Sequence, residues 1–129
     1  MNRGQLREMF GGRCAYCGNP LKKKFHADHV EPIFRGWEDR DKPLRAGKDV
    51  VENLFPSCPR CNNRKATLSV DQFREEIKLQ PERLRRYVSA FRLAEDFGMI
   101  LETKNQIVFW FEKYQEVAKR EAELKEADK

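Results

Sequence analysis

Apolar positions fall into short groups along the first half of this chain and into longer stripes along the second. Leu6, Met9 and Phe10 have helical spacing and stop at Gly11-Gly12, which predicts a short helix over residues 5–10. A tight turn is expected at residues 14–18, followed by a strand over the short segment 25–30. Residues 32–50 are polar and rich in Gly, Pro, Asp, Arg and Lys, so they read as a long exposed loop. Asn53-Leu54-Phe55 returns to the core and leads to a second turn at residues 58–61.

Beyond residue 68 the pattern becomes helical. Ser69 and Gln72 are spaced as a capping box, with Phe73 and Ile77 one turn apart on the helix that follows. Pro81 suits the first turn of another helix, on which Leu84, Tyr87, Val88, Phe91 and Ala94 form one stripe that Gly98 can end. Met99–Leu101 and Ile107–Phe111 predict a hairpin, and a charged helix is expected from about residue 112. The fold class is therefore α+β, divided at residues 1–68 and 69–129. The second part is a mainly helical extension with a short hairpin, suited to packing or oligomerisation.

Charge sharpens this division. Residues 1–70 hold 14 Lys and Arg against 8 Asp and Glu, whereas residues 71–129 hold 12 against 13. A polyanion would meet the first part. No apolar run has the length of a membrane span, and the first residues lack the apolar centre of a secretory signal, so a cytoplasmic protein with reduced thiols is expected.

The four cysteines form two C-x-x-C pairs, Cys14/Cys17 and Cys58/Cys61. A two-residue gap lets both thiolates of a turn face one tetrahedral ion, so two such turns make a closed, all-thiolate Zn²⁺ site. Having no open position, this site is structural. In small zinc modules the ion contributes about 10–16 kcal/mol at neutral pH.

Both histidines lie in the stretch His26-Ala27-Asp28-His29. Asp28 and the amide oxygen of Asn62 are hard donors suited to Mg²⁺, and an imidazole beside them is a suitable general base near neutral pH. The order Cys14-x-x-Cys17-Gly18, Asp28-His29-Val30-x-Pro32, Asn53-Leu54 and Cys58-x-x-Cys61-Asn62-x-x-Lys65 resembles the HNH endonucleases, the ββα-metal or His-Me finger family. The resemblance covers roughly residues 10–66, with Asn62 at the third position of the family's name.

It implies a small zinc-stabilised ββα-metal nuclease domain. Asp28 and Asn62 would hold one Mg²⁺ or Mn²⁺ ion, His29 would deprotonate the attacking water, and Asn53 would fix the loop and orient that base. The implied substrate is double-stranded DNA, cut with weak sequence specificity. Arg35, Arg40, Lys42, Arg45, Lys48, Arg64 and Lys65 are candidate phosphate contacts, with Trp37 among those of the loop. His26 is a secondary candidate for the site. Two rival readings keep the same scaffold: a zinc-knuckle nucleic-acid binder without turnover, and the nuclease subunit of a phage or restriction assembly. A homodimer or larger assembly would form through residues 69–129.

Overall fold

The computed structural model of the chain describes residues 1–31 and 51–127. Helix α1 (Arg3–Glu8) starts at a reciprocal cap: the Asn2 side chain accepts from the Gln5 amide at 2.8 Å, and the Gln5 side chain accepts from the Asn2 amide at 2.9 Å. Arg3 and Arg7 reach from this helix over the Phe25 ring, with guanidinium carbons 4.1 and 4.6 Å from its centroid. They also donate to the carbonyls of Phe25 and Leu21. Cation–π attraction and hydrogen bonds thereby tie residues 21–25, which lead into the first strand, to the N-terminal helix.

Strand β1 (His26–His29) pairs antiparallel with β2 (Leu54–Ser57), in a register that sets Asp28 opposite Phe55 and His29 opposite Leu54. A single 3-10 turn, Val51–Asn53, precedes β2. Helix α2 (Pro59–Lys65) follows β2 after one residue, with Cys58 as its N-cap and Pro59 at its first position. The result is a strand–strand–helix unit. Residues 32–50, the expected loop bearing Arg35, Trp37, Arg40, Lys42, Arg45 and Lys48, lie outside the described residues.

A cluster of aromatic rings forms the core beside this unit. Phe10 meets Phe55 edge-on at 4.9 Å between centroids, Phe55 lies 4.9 Å from Phe111, and Tyr16 lies 5.2 Å from Phe109. Helix α6 (Trp110–Ala127) returns from the end of the chain to supply part of that cluster. Its first turn is held on the first cysteine turn: the amides of Trp110 and Phe111 donate to the carbonyls of Tyr16 and Ala15, and the Trp110 indole donates to the carbonyl of Phe10.

This arrangement corrects two expectations. Residues 100–109 form no hairpin, because the amides at residues 110 and 111 bond to the cysteine turn and Phe109 and Phe111 are held by rings rather than by a partner strand. The division at residue 68 is also redrawn: one compact unit comprises Met1–Val70 and Val108–Lys129, the other Asp71–Ile107.

The second unit holds most of α3 (Val70–Lys78), then α4 (Gln80–Tyr87) and α5 (Ser89–Asp96). The single stripe expected from Leu84 to Ala94 is broken between α4 and α5 at Val88, which is extended (φ −124°, ψ 102°). Side chains bridge the bend. Arg85 pairs with Glu95 at 2.7 Å, and Arg92 donates to the Arg85 carbonyl. Tyr87, Leu93, Phe97, Met99 and Leu101 stay exposed here. Among the described residues no helix is long and apolar enough to cross a membrane.

Two substitutions test this packing. Phe10 is buried at the centre of the cluster, so Phe10→Ala should cost about 3–5 kcal/mol of stability in urea unfolding. Ala66 caps α2 at φ 44° and ψ −115°, a conformation that suits glycine, so Ala66→Gly should stabilise by about 1 kcal/mol and raise the melting temperature.

Candidate active site and metal centre

The two cysteine turns come together although 40 residues separate them in the chain. All four sulfur atoms lie within 4.8 Å of one another, and those of Cys17 and Cys58 are 3.9 Å apart. Tetrahedral Zn–S bonds of about 2.3 Å give sulfur separations of about 3.8 Å. The donor set and its spacing therefore fit one zinc-type ion. Among the described residues, these cysteines are the one cluster of three or more His, Cys, Asp or Glu side chains with such spacing.

Backbone amides are already turned toward the sulfurs. Asn19 donates to Cys17 at 3.5 Å, Cys58 to Cys14 at 3.4 Å and Cys61 to Cys58 at 3.4 Å. Such bonds favour the thiolate form that a metal needs. The Cys14–Cys61 hydrogen bond holds the Cys14 thiol down to about 4 and pushes the Cys61 thiol up, while burial pushes Cys17 up. A divalent cation relieves this competition by accepting electron density from every sulfur. Gly18 closes the first turn at φ 76°, where a Cβ would lie 3.3 Å from that of Trp110. Glycine thus serves both the turn and the approach of α6.

Asp28 is only 4% exposed on β1, and two partners hold it by the same oxygen. The Tyr16 hydroxyl donates to Oδ2 at 2.5 Å, and the Lys65 ammonium lies 3.2 Å from Oδ2. Burial pushes the Asp28 carboxyl up, while the Tyr16 hydroxyl and the Lys65 ammonium pull it down. Burial and the adjacent carboxylate push the Tyr16 phenol far up, so it remains a donor. Lys65 is wholly buried and also donates to the His29 carbonyl at 3.0 Å. Its expected role as a phosphate contact is therefore corrected: its charge is spent inside the domain, whereas Arg64 beside it is exposed.

Asn53 is buried and grips the backbone two residues beyond His29. Its side-chain oxygen accepts from the Glu31 amide and its side-chain nitrogen donates to the Glu31 carbonyl, both at 2.8 Å. The Val30 amide donates to the Asn53 carbonyl at 2.8 Å. His29 is half-buried at the end of β1, and Asn62 is half-buried on α2, one turn before Lys65. His26 is half-buried at the other end of the strand, opposite Ser57.

Tyr16 and Lys65 both engage Oδ2 of Asp28; by chemistry, its Oδ1 and the amide oxygen of Asn62 are hard donors of the kind Mg²⁺ or Mn²⁺ accepts. Tyr16 is a residue that sequence reasoning missed. Its position between two metal-ligand cysteines was the available signal, but nothing local says that its hydroxyl turns inward.

A family model described as HNH endonuclease matches residues 14–67, from the first cysteine to just beyond α2. Residues 14–67 thus form a segment similar to the HNH endonucleases. No curated protein and no solved structure matches the chain. The match supports a nuclease-type function for the segment, and its bounds enclose both cysteine turns, Asp28, His29, Asn53, Asn62 and Lys65.

The metal centre of the HNH segment can be tested directly. Elemental analysis should find one zinc per chain, and Co²⁺ in its place should show thiolate-to-metal absorption. Strong chelation or Cys61→Ser should unfold the segment, read as lost near-ultraviolet circular dichroism. Retention of a full native spectrum after complete metal removal would contradict a structural role.

Proposed function

We propose that the HNH segment hydrolyses phosphodiester bonds in double-stranded DNA, with weak dependence on sequence. The supporting observation is the joint placement of Asp28 and His29 on β1, next to an α2 that carries Asn62, within a segment matching this family. Hydrolysis needs a base for the attacking water and compensation for charge that builds on the phosphate.

In this reading His29 accepts the water proton at an imidazole nitrogen. Its backbone is fixed from one side by Lys65, on its own carbonyl, and from the other by Asn53, through Val30 and Glu31. Such fixation keeps the imidazole aligned without spending substrate binding energy on ordering it. Asp28 and Asn62 would hold a divalent ion, which when bound supplies Lewis-acid polarisation of the scissile phosphate and of its leaving oxygen. The side chains of Lys22, Lys23, Lys24, Arg60 and Arg64 are exposed within the same segment, where they supply phosphate attraction without reading bases.

Incubation of zinc-loaded protein with supercoiled plasmid tests the proposal. Nicking is expected with Mg²⁺ or Mn²⁺, should stop when those ions are chelated, and should fall at least about 100-fold in His29→Ala, with zinc content unchanged. A folded, zinc-loaded protein that binds DNA but never cuts it would instead be a zinc-knuckle binder.

A further inference from the structure

Two buried groups beside the proposed base neither take a proton nor hold the ion during hydrolysis. These are the Tyr16 hydroxyl and the Lys65 ammonium, which converge on Asp28 Oδ2, with Lys65 also 5.9 Å from the centroid of the Tyr16 ring. Their origins in the chain are telling. Tyr16 lies between Cys14 and Cys17, inside the first cysteine turn, and Lys65 lies one helical turn beyond Cys61, on the helix that the second cysteine turn starts.

We propose that each cysteine turn contributes one positioning residue, Tyr16 from the first and Lys65 from the second, and that together they clamp Asp28 Oδ2 so that Oδ1 faces the divalent ion. The inference rests on Asp28 being a ligand of that ion, and extends it to the sulfur centre. A carboxylate free to rotate offers its two oxygens interchangeably and must be ordered each time an ion binds. One whose Oδ2 is held by a phenol and an ammonium has a single oxygen left, already aimed. Ligating carboxylates are commonly hydrogen-bonded in this way, and loss of such a partner weakens metal binding by about 10–100-fold.

Both donors are suited to holding it. Tyr16 is buried among Phe109 and Phe111, edge-on to both rings, so its hydroxyl has little freedom to leave. Lys65 is wholly enclosed and is fixed by a second bond, to the His29 carbonyl. One ammonium therefore holds the side chain of Asp28 and the backbone of His29 together. The sulfur centre sets where Tyr16 and α2 stand, so its geometry reaches the reacting site through two side chains.

The test uses the full-length, zinc-loaded protein and Mn²⁺ alone, with free Mn²⁺ followed by electron paramagnetic resonance. Tyr16→Phe removes only the hydroxyl, and Lys65→Gln keeps a donor while removing the charge. Each variant is expected to bind Mn²⁺ at least about tenfold more weakly than wild type while keeping one zinc per chain, with plasmid nicking partly restored by raised Mn²⁺. If one variant fails to retain zinc, the other decides. Wild-type affinity in either zinc-loaded variant would overturn the clamp, and tighter binding in Lys65→Gln would do so too, because the ammonium would then be a competitor of the ion. Asp28→Asn separates this inference from its foundation. If Asp28→Asn loses Mn²⁺ binding while Tyr16→Phe and Lys65→Gln do not, the clamp alone fails; if Asp28→Asn binds Mn²⁺ as wild type does, the ligand reading fails and takes the clamp with it.

Discussion

Four thiols gathered within 4.8 Å of one another are the constraint on which the first unit depends. Its regular structure is slight: two four-residue strands and a seven-residue helix around the site. A two-stranded ribbon and a helix of that length are each marginal in water by themselves. An ion that binds both cysteine turns supplies the long-range connection that such short elements cannot. It does so at two points, the start of α2 and the turn that precedes β1, and so sets the separation of strand and helix.

The aromatic cluster completes what the sulfur centre begins. Phe10, Phe55, Phe109 and Phe111 come from α1's end, β2 and the approach to α6, so remote parts of the chain share one set of ring contacts. Against this apolar background a buried ion pair is conspicuous. Burying Asp28 and Lys65 forfeits hydration that their mutual attraction only partly offsets. Buried ion pairs can often be replaced by apolar residues of similar volume without loss of stability, so such a pair is weak evidence of stabilisation. The Asp28–Lys65 pair holds the end of β1 to the end of α2 at a defined spacing.

Much of the site was legible in sequence because its chemistry is local. Cys14/Cys17 and Cys58/Cys61 declare a metal turn through a two-residue gap, and Asp28-His29 and Asn62 stand at fixed offsets from those turns. Two helix ends were legible for the same reason, since Gly11 and Gly98 act on their own neighbourhoods. The hairpin at residues 99–111 and the unbroken helix through Val88 were misread because apolar periodicity records which residues seek cover, and not what covers them. The covering of Phe109 and Phe111 was decided by rings nearly 100 residues earlier in the chain, and the bend at Val88 is bridged by Arg85 and Arg92.

Lys65 shows the boundary most plainly. Its residue type and basic surroundings describe a solvent-facing cation, and sequence alone has no means to bury it. By itself the sequence determined the pairing of four cysteines in two turns, the adjacent Asp28 and His29, and the strand that carries them, because each depends on neighbours a few residues apart; the order of strand, strand and helix came from the resemblance to the HNH endonucleases. Only the tertiary structure decided that Tyr16 and Lys65 turn inward to one oxygen of Asp28. That outcome depends on two cysteine turns, 40 residues apart, being drawn to a common centre.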